Sequence, residues 1–377
     1  MTVPPRSNAS ARLARHISQP LEYLILLPIV LFAPSLNAAE PSTATLIEQG
    51  HYKRAEAILA ERLKANPNDG RASSEMSKVS EAFRRWDDAI RQAEKAVALD
   101  HKSAEFQAAL ADAVGSKLSV ASLGMFEKMS LARRFKREAE LALQLDPNNA
   151  DANEDLMEFN LDAPGLVGGD KKKAAELADR MVRINPVRGY LMKVEFATHE
   201  KHTAEVEPLL QQAIAADPKN YFARIQAANF YLSKGGASLT QAEEQAKQAI
   251  RIDPGRAGGY TALATVYVQQ GRWKDLDSLL EDAQREVPDD LAPFYQAAKS
   301  ILTGNQNQEL PRAEKYMRAY LSQPPEGDEP SLAAAHWRLG LILEKEGHKD
   351  QAKQEIQEAV RLEPAFEPAK KDLKRLQ

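Results

Sequence analysis

The stretch that decides the fold runs from Ala257 to Pro288 and reads AGGYTALATVYVQQGRWKDLDSLLEDAQREVP. Apolar residues recur in its first half at the i, i+3, i+4, i+7 spacing of one helix face, namely at Tyr260, Leu263, Ala264 and Tyr267. Gly271 and Arg272 interrupt this helix, and a second apolar face follows at Trp273, Leu276, Leu280 and Ala283. Because proline cannot continue a helix, Pro288 marks its end. The stretch therefore predicts two helices joined by a tight turn.

The same unit recurs along the chain at intervals of about 34 residues. Prolines that follow helical stretches mark the intervals at Pro186, Pro218, Pro254 and Pro288. The last unit carries the same positions at Leu339, Gly340, Leu343, Gly347, Ala352, Ile356, Ala359 and Pro364. Gly340 and Ala352 are small, which lets the two helices of a pair approach closely. In this pattern the chain resembles the tetratricopeptide repeat.

The resemblance implies an all-α fold, a right-handed α-solenoid in which each helix pair contacts its neighbours. We count nine helix pairs between residues 41 and 364, the first of them weak because few residues precede Gly50. Residues 365–377 predict a solitary helix that caps the last pair, with Phe366, Leu373 and Leu376 apolar. The expected core is a ribbon of contacts between neighbouring pairs.

The composition agrees with a helical protein and excludes several classes. The chain has 377 residues, of which 6% are aromatic, and it has no cysteine. A disulfide framework, a thiolate zinc site and a cysteine nucleophile are therefore excluded. With 50 Lys+Arg against 54 Asp+Glu the net charge is −4, which argues against a nucleic-acid partner.

Residues 1–38 are expected to be a secretory signal peptide. Arg6, Arg12 and Arg15 stand in a segment without acids, and an apolar run over 21–32 follows, ending near Ala38. The run is shorter than the roughly 20 residues of a spanning helix, so no stable membrane span is expected after removal; the alternative is an uncleaved anchor. Removal takes away three Arg and one Glu and changes the net charge from −4 to −6. We expect export to a bacterial periplasm or cell envelope, a location that rests on the resemblance.

Two insertions interrupt the repeat, near residues 115–130 and 163–170. The first is either a flap that contacts a partner through Leu123, Met125, Phe126 and Met129, or, as we favour, extended helices that pack these residues on one another. The second is rich in glycine and precedes Lys171. We interpret it as an ordered turn in which Asp170 caps the next helix, because the Asp170 carboxylate would repel a bound anion.

The sequence contains no catalytic or metal-binding motif. Its seven histidines form no His-Glu-x-x-His pattern, and no Gly-x-Ser-x-Gly turn occurs. We therefore expect a protein that is not an enzyme and that uses neither a metal nor a cofactor.

The resemblance implies that the first helix of each pair lines a concave groove. The predicted groove residues are Leu191, Phe222, Ile225, Asn229, Thr261, Thr265 and Trp337. They would form an apolar, neutral trough in the C-terminal half that suits an extended or helical peptide. The alternative for Phe222, Ile225 and Trp337 is packing against the neighbouring repeat.

The predicted function is a non-catalytic scaffold that binds a protein or peptide partner in this groove. A second hypothesis is a solenoid that binds a carbohydrate or small molecule in polysaccharide export or envelope assembly. A third is a structural protein that oligomerises.

Overall fold

The structure is a computed structural model that describes residues 41–120, 122–327 and 329–376. The expected signal peptide, residues 1–38, lies outside the described residues. Within the described ranges the chain forms 19 α-helices and a few short 3-10 turns, and no strand. The predicted all-α class is therefore confirmed.

Nine antiparallel helix pairs follow one another along the chain, as the repeat pattern predicts. They are α1 (Thr43–Gln49) with α2 (Tyr52–Ala65), α3 (Gly70–Ala82) with α4 (Trp86–Leu99), α5 (Ala104–Lys117) with α6 (Met125–Leu145), α7 (Ala150–Asp162) with α8 (Lys171–Ile184), α9 (Pro186–His199) with α10 (Thr203–Ala216), α11 (Tyr221–Lys234) with α12 (Leu239–Ile252), α13 (Ala257–Gln269) with α14 (Trp273–Glu286), α15 (Ala292–Thr303) with α16 (Leu310–Tyr320), and α17 (Leu332–Lys345) with α18 (Lys349–Leu362). A solitary helix, α19 (Glu367–Arg375), packs on the last pair.

Local signals in the sequence set the helix ends. A polar side chain accepts a hydrogen bond from the first turn of most first helices, which satisfies a backbone N–H that has no partner inside the helix. The accepting residues include Asp69, Ser103, Asn149, Asn185, Asn220 and Ser331. Several second helices end at an Asn or Asp that precedes a proline, such as Asp217 and Asp253, because proline forces the residue before it into extended backbone.

Small residues allow the two helices of a pair to touch. In the last pair, a Cβ atom added to Gly340 would lie 2.5 Å from Ile356 Cγ1 and 2.9 Å from the Ala352 carbonyl oxygen. Ile356 and Ala352 are themselves fully buried. The predicted reason for glycine at this position is therefore confirmed.

The first insertion lengthens a helix, but two of its four apolar residues, Met125 and Phe126, do not pack as the favoured alternative predicts. Helix α6 has 21 residues and α5 has 14, so the first turns of α6 extend past the helix with which it pairs. Met125 is 77% exposed and Phe126 is 90% exposed. In the second insertion Asp170 accepts hydrogen bonds from the backbone N–H groups of Lys172 and Lys173, as the sequence predicts.

The first helix pair also contacts three loops far along the chain, at residues 253–256, 287–291 and 321–327. The Lys53 ammonium donates to the carbonyl oxygens of Asp289 and Pro324, at 2.9 Å in each case. It also lies 3.0 Å from one carboxylate oxygen of Glu326, and the Lys53 backbone N–H donates to the other at 2.6 Å. Glu326 is 3% exposed, so this is a nearly buried ion pair.

Further polar contacts join the same elements. Arg256 donates to Glu48 at 2.7 Å and to Asp253 at 2.8 Å, and Gln49 donates to Asp253 at 3.1 Å. The Tyr52 ring lies against Gly327, where an added Cβ would come within 2.7 Å of the ring. Gly327 also has a φ of 54°, which favours glycine. We call the set of contacts between α1–α2 and the three loops the closing contact.

The hydrophobic core joins neighbouring pairs, as expected, and the closing contact adds polar contacts between pairs that are distant along the chain. The first pair contacts loops that follow α12, α14 and α16, so the solenoid returns upon itself. Its inner surface is therefore enclosed at the N-terminal pair, and the candidate site lies on this surface.

Candidate functional site

Three adjacent cavities lie on the inner surface, and they share lining residues. The first has a volume of about 820 Å³ and lies beside α3 and α5, with Lys78, Glu81 and Asp112 in its wall. The second, about 640 Å³, lies between the first pair and helices α11 and α13. The third, about 1030 Å³, lies beside α7 and α9. Tyr52 lines the first two, Lys78 the first and third, and Phe222 the second and third, so we call the three together the inner channel.

Six of the seven predicted groove residues line the inner channel. Phe222, Ile225, Asn229, Thr261 and Thr265 line the second cavity, and Leu191 lines the third with Phe222. The Phe222 side chain is 51% exposed, so one aromatic ring projects where the two cavities meet. Two hydroxyls of this set already donate hydrogen bonds inside α13: Thr261 donates to the Ala257 carbonyl oxygen, and Thr265 donates to the Thr261 carbonyl oxygen.

Trp337 lies elsewhere, beneath the terminal helix. Its ring meets the Phe366 ring edge-on at 5.6 Å, and its indole Nε1 donates to Asp372 at 2.8 Å. Helix α19 covers the inward position of the last pair. Trp337 is therefore part of the contact with the cap and lines none of the three cavities.

The first pair contributes residues to the second cavity that the sequence analysis missed. Glu48, Gln49 and Tyr52 face the predicted trough from the opposite side. Arg256 is 8% exposed, and its guanidinium lies 4.8 Å from the ring centres of both Tyr221 and Phe222. The trough is therefore narrower and more polar than the neutral surface that the sequence predicts.

The largest cavity is acidic, which the sequence analysis also missed. Asp151, Glu154 and Asp162 on α7 and Glu195 on α9 line it, with Lys78 and Arg188 as the basic residues. Arg188 already donates to Asp151 at 2.7 Å and to Glu154 at 2.5 Å. Asp162 lies 3.3 Å from His199. Glu195 has neither a hydrogen bond nor an ion pair with any residue that the structure describes.

More carboxylates stand close to this cavity. Asp151, Asp155, Glu158 and Asp162 follow one another at i, i+4, i+7 and i+11, so they share one face of α7. Asp112 on α5 interacts electrostatically with several of them. This repeated acidic spacing on a first helix is the sequence signal that could have predicted an acidic cavity. The same spacing also occurs on ordinary solvent-exposed helices, so it does not identify the cavity by itself.

The surroundings raise the pKa values of these carboxylates. Burial, and then the charges of Glu154 and Asp162, raise the pKa of Glu195 to about 7. Burial, and then the charges of Glu195 and Glu154, raise the pKa of Glu158 to about 7. Burial together with the charges of Asp112 and Glu158 raises the pKa of Asp155 well above its usual range. The cavity therefore holds negative charges that repel one another and that a cationic group would stabilise.

Two family models match the chain, and both describe the tetratricopeptide repeat. They cover residues 46–113 and residues 333–366, which include the first and last regular pairs. Together with the nine helix pairs, these matches establish that the chain is a tetratricopeptide repeat protein. Proteins of this family are in general non-catalytic scaffolds for protein interactions.

The chain is similar to several solved structures at low sequence identity. Yeast Tom70 is 14% identical, with 89% of this chain and 79% of that chain covered and a TM-score of 0.47. A human IFIT1 dimer with m7Gppp-AAAA is 18% identical, with 90% and 82% covered and a TM-score of 0.46. A tetratricopeptide repeat protein from Parabacteroides merdae is 12% identical, with 71% and 98% covered and a TM-score of 0.43. No curated protein matches the sequence.

Two further features bear on the class of site. Among the helices that the structure describes, none is long and apolar enough to span a bilayer. The described residues also contain no group of three or more His, Asp or Glu side chains arranged to hold a metal ion.

Proposed function

We propose that this protein is an exported, non-catalytic scaffold that binds a segment of a partner protein in the inner channel. The observation that carries the proposal is the position of Phe222, which projects with half its surface exposed where two cavities meet. An exposed aromatic ring in a concave, preformed site is the kind of residue that dominates binding energy in protein interfaces.

The lining of the second cavity supports a peptide as the bound group. Ile225 adds apolar surface next to Phe222, while Asn229 adds an amide that can donate and accept hydrogen bonds. A peptide has alternating apolar side chains and backbone polar groups, so it can use both kinds of contact. The helices on both sides are held by the repeat packing, so binding requires little rearrangement of the backbone.

Export to the periplasm or envelope is the second part of the proposal. It is supported by the order of the N-terminal segment, in which a basic stretch precedes a short apolar run and small residues. N-terminal sequencing of protein purified from the envelope fraction tests this part, and a first residue near Ala39 is the expected result. An N-terminus at residue 1 or 2 in that fraction would contradict cleavage.

Crosslinking in cells tests the channel. A photo-crosslinking amino acid at Asn229 should capture a partner protein, and the double variant Phe222→Ala and Ile225→Ala should abolish the capture. The control is Phe126→Ala, which removes an exposed phenylalanine outside the channel. Capture at the wild-type level by the double variant would contradict the proposed site.

A further inference from the structure

The acidic cavity has more negative charge than its own basic residues neutralise. The basic residues in its wall are Lys78, Arg188 and His199; Arg188 is bound to Asp151 and Glu154, and His199 lies 3.3 Å from Asp162. Glu48, which faces the cavity from the first pair, is paired with Arg256. Glu195 lines the cavity, and Glu158 on α7 is close enough to repel it; neither carboxylate has an ion pair or hydrogen bond in the part of the chain that the structure describes.

Asp155 does not line the cavity, but it lies on the same helix as three of the carboxylates that do. It is 9% exposed, and its Oδ2 atom has no hydrogen-bond partner among the described residues. It shares one face of α7 with Asp151, Glu158 and Asp162. A buried carboxylate oxygen without a partner is unfavourable, because it loses its hydration and receives nothing in return.

Apolar surface borders the acidic group directly. Leu191, Val194 and Phe222 line the same cavity as Glu195. A small inorganic cation would leave this apolar surface unused. A ligand with basic groups beside an apolar group would contact both, and Lys and Arg side chains flanking a Leu or Phe have this chemistry.

We propose that the partner segment is basic, and that its Lys or Arg side chains bind between Glu195 and the α7 carboxylates while a neighbouring apolar side chain packs on Phe222. This inference rests on the proposed function and specifies the chemical class of the partner. Phe222 lines both the acidic cavity and the second cavity, so the bound segment would pass Phe222 as it runs from one cavity to the other.

Fluorescence anisotropy with designed peptides tests the inference. The first probe is a short labelled peptide in which Lys and Arg alternate with Leu and Ala, and the second replaces every Lys and Arg with Glu. The mature protein should bind the first peptide and should not bind the second. Binding of the first should weaken with added salt, because charge pairs near a surface are screened.

Matched variants test whether the basic peptide binds in the acidic cavity. Asp112→Asn, Glu158→Gln and Glu195→Gln together remove three inner carboxylates without changing their shape. The control, Glu61→Gln, Glu140→Gln and Glu176→Gln, removes the same charge from exposed positions on second helices. The inner variant should bind the basic peptide about tenfold more weakly, and the control should bind it as the wild type does.

Thermal unfolding distinguishes a loss of binding from a loss of folding. The inner variant should unfold at the same temperature as the wild type or above it, because the substitutions remove repulsion between like charges. Equal weakening in the inner and control variants would overturn the inference, since only the total charge would then matter.

The remaining outcomes separate this inference from the proposed function. If the acidic peptide binds as well as the basic one and Phe222→Ala abolishes both, the channel binds peptides and the basic class is wrong. If neither peptide binds and crosslinking at Asn229 captures no protein, both the inference and the proposed function fail.

Discussion

Replacement of Lys53 by Met should open the closing contact without unfolding the solenoid. The Lys53 ammonium is the centre of this contact, since it pairs with Glu326 and donates to two loop carbonyl groups. Methionine keeps the length of the side chain and the backbone N–H that donates to Glu326. The substitution therefore removes only the charge and the hydrogen bonds of the ammonium.

The magnitude follows from the burial of the two partners. Removing one member of a buried ion pair costs about 3–5 kcal/mol, because the other charge stays buried without compensation. The Glu326 side chain is 1% exposed, but that of Lys53 is 30% exposed, which places the cost at the lower end, about 3 kcal/mol. Such a change shifts the equilibrium between closed and open forms by about two powers of ten.

The effect should stay local because each helix pair is stabilised mainly by its neighbours. Hydrogen exchange measured by mass spectrometry should become faster over residues 43–65 and 321–327, while helices α9 and α10 should exchange as in the wild type. Small-angle scattering should show a larger radius of gyration. The control is Lys64→Met, which removes a side chain that is 77% exposed and pairs with Glu61. Unchanged exchange in both segments of the Lys53→Met variant would refute the reasoning.

Three further predictions concern packing, the inserted helix turns and pH. Gly340→Ala should destabilise the last pair by about 1–3 kcal/mol, because the new methyl group overlaps Ile356, and an unchanged midpoint of thermal unfolding would contradict this packing. Phe126→Ser should change the free energy of unfolding by less than about 0.5 kcal/mol, and a larger loss in urea titration would show that the ring packs on something. The pKa of Glu195 is raised to about 7 in the folded protein, so its contribution to stability is present at low pH and is lost as the pH rises through about 7. The unfolding temperature should therefore fall between about pH 5 and pH 8, and Glu195→Gln should reduce the fall; an equal fall in that variant would contradict the assignment.

The repeat pattern predicts the helix pairs because its signals are local. A small residue such as Gly340 is required by the helix that packs across it, and the two helices are adjacent in sequence. The inward positions of a first helix follow from the same register, which explains why Phe222 and Ile225 line the same cavity.

The closing contact cannot be predicted from local sequence signals in this way. The position of the first pair relative to the loop at residues 321–327 depends on small rotations that accumulate over seven intervening pairs. The residues that make the contact, Lys53 and Glu326, are charged, and in a sequence such residues suggest solvated turns. Only the summed geometry brings them together.

The terminal pair and the acidic cavity show two other limits. Trp337 occupies an inward position by register, but α19 packs on that position. The acidic face of α7 has the spacing of an exposed helix surface, and its burial depends on the neighbouring α9 and on the enclosed inner surface. In both cases the sequence predicts the helix face on which the residues lie. What packs against that face is determined by other parts of the chain.

The closing contact and the acidic cavity should be coupled, which yields a final prediction. The first pair lines the acidic cavity with Glu48, so we expect the closed form to limit the access of water to Glu195. Opening the contact with Lys53→Met should let in more water and bring the pKa of Glu195 back toward its ordinary range. The decrease in unfolding temperature from about pH 5 to pH 8 should then be smaller in Lys53→Met than in Lys64→Met. If the two variants lose stability equally over this range, the charges within α7 and α9 alone determine the titration, and closure has no part in it.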